Sequence, residues 1–274
     1  YIESTYDENG IFNGISFKDA DTFNFAFDCV DAIADKDPDK LAMMWVANDK
    51  TDIRFTFSDM KKYSAKTANY FESLGIKKGD TVMLVLKRHY EFWFAMLALH
   101  KIGAITLPAT NQLMKKDIVY RVQSAGVKAL IGTSYGKFAS HMEEAEPECD
   151  GLKVKMITGG AREGWVDFDA ELAEQSDVWE RPENLNTNDD ITMMYFTSGT
   201  SGYPKMATHD YRYPLGHIQT AVYWQGCVDG GIHLTISETG WMKAIWGKLY
   251  GQWLAGSAVL AYDFDRFVPA DMLR

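Results

Sequence analysis

One pattern constrains this chain more than any other: short apolar runs alternate with helix-length amphipathic stretches. Residues 81–86 are a continuous apolar run of the kind buried inside a parallel sheet. The stretch 90–102 follows, with Phe92, Trp93, Met96, Leu97 and Leu99 at helical spacing and Gly103 as its stop. Apolar runs at 104–108, 128–131 and 154–158 then interleave with helical patterns at 116–125 and 135–146. Such alternation predicts βαβ units, hence an α/β fold with mostly parallel β-sheets flanked by helices. The aromatic and methionine positions in it read as core.

The flanks are less regular. The first twenty residues are polar and are expected to wrap the surface. Phe23, Phe27, Val30 and Ala34 share one face of a helix over 23–33, which Asp37-Pro38-Asp39 ends. Strands at 41–47 and 53–57 are joined by Asn48-Asp49-Lys50. Ser58 reads as the N-cap of a helix carrying Met60, Tyr63, Thr67, Phe71 and Leu74, with Gly75 at its end. A short helix is expected over 168–175. The polar stretch 177–190, with Pro182, Asn184, Asn186 and Asn188, reads as a connection. It divides the chain into a first α/β lobe, 1–176, and the start of a second, 191–274. Helices at 210–224 and 239–254 and strands at 233–236 and 258–262 follow, with a helical turn at 269–274.

Composition narrows the class. The 274 residues carry a formal charge of −10, which weighs against nucleic acid or an anionic membrane as partner. An anionic ligand must therefore be attracted by local charges and amides. Cys29, Cys149 and Cys227 lie far apart, without zinc or redox spacing, and read as free thiols of a reducing, cytoplasmic compartment. A leader removed before Tyr1 is compatible with this reading. No apolar run has the length of a membrane span, and no repeat or low-complexity tract occurs.

The stretch with chemistry in it is 195–205. An apolar run at 191–196 leads into Thr197, Ser198, Gly199, Thr200, Ser201 and Gly202, and then into Pro204 and Lys205. On composition alone this is an ordinary Ser/Gly-rich surface loop. As ordered, it offers what a polyphosphate requires: glycines that let backbone N–H groups approach, hydroxyls that donate, and a lysine charge. It is not a Walker loop. Counting from Gly199, the second glycine would fall at Pro204, and Met206 stands where Ser or Thr should follow the lysine.

Thr197 to Lys205 resembles the phosphate loop of the adenylate-forming (AMP-binding) enzymes, whose pattern is Thr-Ser-Gly-Thr-Thr/Ser-Gly-x-Pro-Lys, at every fixed position. Within that superfamily the chain is most similar to the medium-chain acyl-CoA synthetases. Residues 24–45, 86–132 and 236–256 carry this, the last with Glu238-Thr239-Gly240-Trp241 in place of that group's Asp/Glu-Thr-Gly-Trp. The resemblance implies a two-step ligase. A fatty carboxylate attacks the α-phosphate of ATP, pyrophosphate leaves, and the acyl-adenylate then meets the thiol of CoA.

It further implies that the loop amides, Ser198, Thr200 and Lys205 hold the β- and γ-phosphates. Mg2+ bridges phosphate oxygens there, with Thr200 as its candidate ligand or near neighbour. Trp241 and Gln112 are candidates for the acyl pocket; the alternatives are helix packing for Trp241 and a solvated loop amide for Gln112. His209 either contacts the site or caps the next helix. His217 reads as helix surface or core, and His89, His100 and His233 have no partner suggested by spacing. Asp189-Asp190 reads as solvated charge, not metal ligation. The catalytic lysine of the family lies in a C-terminal domain. The chain thus reads as the front of the large N-terminal domain, expected to be inactive alone. The alternatives are a catalytically incompetent phosphate-binding fragment and a superfamily member with an acyl acceptor other than CoA.

Overall fold

A computed structural model describes residues 1–17, 20–198 and 202–272. The chain opens with a hairpin, β1 (Ile2–Tyr6) and β2 (Phe12–Phe17), followed by a π-helical turn at Phe25–Asp31 that runs into α1 (Ala32–Lys36). A second hairpin, β3 (Leu41–Val46) and β4 (Asp52–Thr56), leads into α2 (Phe57–Ser73). The alternating region then reads β5 (Thr81–Val85), α3 (Glu91–Ile102), β6 (Ile105–Pro108), α4 (Lys115–Ala125) and β7 (Val127–Thr133). It continues with α5 (Phe138–Ala145), β8 (Val154–Thr158), β9 (Val166–Asp167) and α6 (Phe168–Ala173). The last part comprises β10 (Ile191–Thr197), β11 (Lys205–Asp210), α7 (Tyr213–Gln219), β12 (Ile232–Leu234), α8 (Met242–Lys248), α9 (Tyr250–Leu254), β13 (Ala258–Tyr262) and α10 (Pro269–Met272).

A seven-stranded sheet in the order β11-β10-β6-β5-β7-β8-β9 carries the alternating region. Its strands are parallel apart from β11, which returns antiparallel to β10 along one edge. The apolar alternation is therefore expressed as the expected parallel sheet, with helices on both faces. Ile118 and Val122 of α4 and Phe138 and Met142 of α5 pack with Met83, Val85, Leu107 and Leu130 from the strands on one face. The other face meets α3, and every residue of α3 is buried. Beyond α3 lies a four-stranded sheet, β12-β13-β3-β4. Trp93 of α3 donates its indole N–H to the Lys248 carbonyl at 2.9 Å, and Trp253 of α9 donates to the Ala42 carbonyl of β3 at 2.8 Å. Both indoles are wholly buried, so each N–H has found the acceptor that burial demands.

Four expectations are corrected. The first residues are not irregular: they form the β1–β2 hairpin, whose turn is closed by Asp7 accepting from the N–H groups of Asn9 and Ile11 at 2.9 and 2.8 Å. Both faces of that hairpin are largely exposed, so it lacks the apolar alternation that marks a strand. Residues 205–210 form β11 rather than running up to a helix, because β10 supplies a ladder from Ile191↔Asp210 to Thr197↔Lys205. The helix after β4 is capped by Thr56, not Ser58: Thr56 and Asp59 form a reciprocal capping box. The helix expected over 239–254 is interrupted at Leu249, where the Gln252 side chain accepts from the Leu249 N–H at 3.1 Å.

The division at 177–190 does not separate two sheets. β10 pairs with β6, and β13 pairs with β3, so strands from either side of the connection share both sheets. That connection is tied inward by a buried polar network. Asn24 donates to the His100 carbonyl at 2.8 Å and to Asn186 at 3.0 Å, and Asn186 donates to the Phe23 carbonyl at 3.0 Å. His100 itself bridges Thr192 and Tyr250, and burial lowers its imidazole to about 3, so it acts as a neutral hydrogen-bonding group.

Trp253→Phe keeps most of the ring volume but leaves the buried Ala42 carbonyl without its donor. It is expected to lower stability by about 1–3 kcal/mol, read from the urea midpoint with an unchanged slope.

Candidate functional site

The parallel strands β6, β5, β7, β8 and β10 end on one edge of the large sheet, at Pro108, Val85, Thr133, Thr158 and Thr197. Open α/β sheets bind ligands at such an edge, outside the carboxyl ends of the strands. The Ser/Gly loop leaves from it, between β10 and β11. Of the phosphate-binding candidates, Thr197, Ser198, Gly202 and Lys205 are described; Gly199, Thr200 and Ser201 lie outside the described residues. So does the magnesium assignment to Thr200.

Thr197 and Lys205 are the last cross-strand pair of the hairpin, and the Thr197 hydroxyl donates to the Lys205 carbonyl at 3.3 Å. Ser198, Gly202 and Lys205 are exposed. Gly202 has φ of +106°, which strains any L side chain, although its missing Cβ would meet nothing within 4 Å. Glycine is thus required here for backbone shape and not for space.

Helix α4 holds the downstream half of the loop. The Tyr120 hydroxyl donates to the Pro204 carbonyl at 2.9 Å, and its ring lies 5.1 Å from that of Tyr203 and 5.7 Å from that of Phe196. Between α4 and the loop is a cleft of about 730 Å³ with Lys115, Lys116, Gly202 and Tyr203 on its walls. Sequence reading missed Tyr120, which stands 84 residues from Pro204 with no spacing signal to join them.

The segment before α8 is locked onto the same edge. Thr239 donates through both its N–H and its hydroxyl to the Lys87 carbonyl, at 2.9 and 2.6 Å. Glu238 accepts from the Thr110 hydroxyl at 2.9 Å and from the Asn111 N–H at 3.3 Å. Burial pushes its carboxyl above the ordinary range, against the pull of those bonds and of Arg88. A Cβ on Gly240 would stand 2.4 Å from the Ala109 carbonyl carbon and the Thr110 nitrogen, closer than any side chain tolerates. The Glu-Thr-Gly motif is therefore a backbone clamp between the ends of β5 and β6 and the start of α8.

Gln112 and Trp241 both flank this clamp. Gln112 follows Asn111 by one residue, its side chain exposed and its N–H donating to the Thr110 hydroxyl at 3.3 Å. Trp241 is the N-cap residue of α8 and is 62% exposed, so its indole is not a packing element within this structure.

A set of charged residues not foreseen from spacing lies at the clamp. Lys87, left-handed at φ of +49°, pairs with Asp263 at 3.1 Å and Asp265 at 2.7 Å, just beyond β13. Arg88 donates to the Ile236 carbonyl at 3.3 Å and stacks over Phe264 at 3.9 Å. His89 bonds Thr133 at 2.8 Å. Lys248 is buried with one donor bond, to the Thr235 carbonyl at 3.0 Å, and burial lowers its ammonium to about 7. The only trace in sequence is Lys87-Arg88-His89 directly after an apolar strand.

His209 does not cap α7: Arg212 is its N-cap residue, without a side-chain bond. The His209 ring instead lies 4.0 Å from that of Tyr213, and burial lowers its basicity. Asp190 pairs with Lys78 at 2.9 Å and Asp189 with Arg212 at 3.4 Å, so both are ion-pair residues. No group of three His, Cys, Asp or Glu suited to a metal occurs among the described residues.

A parallel sheet with a Ser/Gly loop and a clamped Glu-Thr-Gly-Trp segment on its carboxyl edge defines an open α/β protein with its candidate ligand site at the strand ends. The chain belongs to the AMP-binding enzyme family, whose model matches residues 30–274. It is 32% identical over 260 residues to the mitochondrial acyl-coenzyme A synthetase ACSM3 of Pongo abelii, covering 92% of this chain and 44% of that protein. It is 33% identical over 255 residues to mitochondrial ACSM5 of Rattus norvegicus, covering 89% and 43%. The fold is similar to the acyl-CoA synthetase of Brucella canis, with a TM-score of 0.81, 23% identity, and coverage of 94% of this chain and 46% of that one. It is also similar to the anthranilate CoA ligase AuaEII in complex with anthranoyl-AMP, with a TM-score of 0.79, 21% identity, and coverage of 92% and 47%. The chain thus spans less than half the length of these relatives.

Gly240→Ala forces the clamp apart. It is expected to destabilise by about 2–4 kcal/mol in chemical denaturation, comparable with overpacking a core. Tyr120→Phe leaves the fold intact and raises amide exchange in the loop, measured by hydrogen–deuterium exchange over 202–206.

Proposed function

We propose that the protein containing this chain is an ATP-dependent acyl-CoA synthetase acting on medium-chain or other small carboxylic acids. The observation that carries this reading is the loop between β10 and β11, with Ser198, Gly202 and Lys205 exposed, on the same sheet edge as the clamped Glu238-Thr239-Gly240-Trp241 segment. Family membership supports it.

In this reading the loop binds the β- and γ-phosphates of ATP through its amides, Ser198, Thr200 and Lys205. Lys205 places positive charge where pyrophosphate leaves. Mg2+ would enter with the nucleotide, with Thr200 as its candidate contact. Bound Mg2+ would supply charge neutralisation at the phosphates. Trp241, free of the core, and Gln112 form one wall for the acyl group. The clamp keeps that wall at a set position relative to the loop, which in-line attack requires. CoA is the acyl acceptor. The chain alone is expected to bind phosphate weakly and not to turn over; Ser198 and Lys205, two of its proposed phosphate contacts, are exposed.

Carboxylate-dependent ATP–pyrophosphate exchange by the full-length protein tests the first half-reaction. Lys205→Ala is expected to slow it by about 100-fold, with unchanged thermal stability. Exchange indifferent to the carboxylate, or to this substitution, would sink the assignment. Octanoyl-AMP that accumulates unchanged with CoA present would instead point to another acceptor.

A further inference from the structure

A cavity of about 400 Å³ opens between α2, the start of α3 and α6. Its walls are aromatic. Tyr63 and Phe94 stack at 4.6 Å, Tyr90 lies 5.7 Å from Phe94, and Phe55 lies 5.1 Å from Tyr90. Its floor is Glu91, only 4% exposed, with an Oε2 that has no hydrogen-bond partner. Asp169, on α6, lines the same cavity beside it, and its Oδ2 accepts from the Thr158 hydroxyl at 2.8 Å.

Burial and the adjoining Asp169 keep the Glu91 carboxyl protonated, with the Thr158 hydroxyl as a neighbour, and the buried Oε2 left without a partner is costly unless something answers it. Position at a helix start does not satisfy Oε2. The charges facing the cavity decide what would. Glu91 and Asp169 supply two carboxyls, and neither has a cation within ion-pair distance among the described residues. The remaining charged neighbours are Lys62 and Lys66 of α2. Lys66 is directed onto the Leu172 and Ala173 carbonyls at 3.2 and 2.9 Å, at the end of α6, and Lys62 is exposed at the rim. Two carboxyls and several ring faces together favour a cation with an organic body.

We propose that this cavity is a binding site for a small organic ammonium ion, held by Glu91 and Asp169 and enclosed by Tyr63, Tyr90 and Phe94. The site stands independently of the ligase reading, since none of these residues is assigned a role in it. Binding carries a proton signature. Burial, and then the neighbouring Asp169 charge, push the Glu91 carboxyl up to about 8. The group is therefore neutral at lower pH. A bound cation favours its ionised form, so binding near neutrality expels a proton, and affinity rises as pH passes upward through that value.

Three probes of one shape and different charge test this: tetramethylammonium, whose charge does not titrate, neutral tert-butanol, and anionic trimethylacetate. Calorimetric titration of the protein at about pH 7 should show saturable binding of tetramethylammonium alone, with close to one proton released per ion. The release is read from the enthalpy difference between phosphate and HEPES buffers, and it should vanish well above the Glu91 midpoint. Glu91→Gln should abolish the proton release and weaken binding about ten-fold, and Phe94→Leu should weaken it several-fold while leaving the release in place. Absence of saturable tetramethylammonium binding to the unaltered protein overturns the proposal. So does tighter binding of trimethylacetate, which would assign the cavity to an anion held by Lys62 and Lys66. Unchanged binding in a folded Glu91→Gln variant overturns it equally.

Discussion

The burial of α3 on every side is the constraint on which the rest depends. A helix that is apolar almost all round cannot stay at a surface, so it must lie between two layers. The large sheet supplies one layer. The other comes from segments far away in sequence, β3 and β4 from one end of the chain and β12 and β13 from the other. The indole of Trp93 seals the join by donating into the carbonyl of Lys248, at the point where α8 gives way to α9.

This packing positions the candidate site. Once α3 is held, the residues just before it, Lys87 to His89, have no freedom to leave the end of β5. Thr239 can then bond the Lys87 carbonyl, and Gly240 can rest on the Ala109–Thr110 peptide. Lys87 in turn draws in Asp263 and Asp265 beyond β13. The edges of both sheets are thereby joined through backbone contacts and ion pairs. The described ends of the Ser/Gly loop, by contrast, are held through their own hairpin and through Tyr120, and Ser198 and Lys205 stay open to solvent. A rigid clamp beside an open loop is the arrangement expected where a ligand, not the fold, completes the contacts.

Much of the fold was legible in the sequence, because apolar period and glycine stops are local signals. The strand β5, the helix α3 and the stop at Gly103 fall where the pattern places them. The hairpin β1–β2 was not legible, because a strand exposed on both faces has no alternation to read. Strand β11 was hidden for a related reason: its identity comes from the ladder with β10, while four of its own six residues are polar. The break between α8 and α9 depends on Gln252 reaching the Leu249 N–H and the Trp246 carbonyl, which no propensity reports. At the site, Thr197 to Lys205 and Glu238 to Trp241 stood out as motifs. Lys87, Tyr120 and Asp263 did not, because their partners are distant in the chain.

The sequence by itself determined the alternation of strand and helix, the Ser/Gly loop at the end of an apolar strand, and the acidic balance that leaves anion attraction to local groups. Only the tertiary structure decided which ends meet. Thr110 reaches Glu238 across 128 positions and Thr239 reaches Lys87 across 152. Propensity and periodicity act over a few residues and say nothing at that range. Those contacts exist because one buried helix must be covered on both sides, and covering it draws the carboxyl ends of two sheets together.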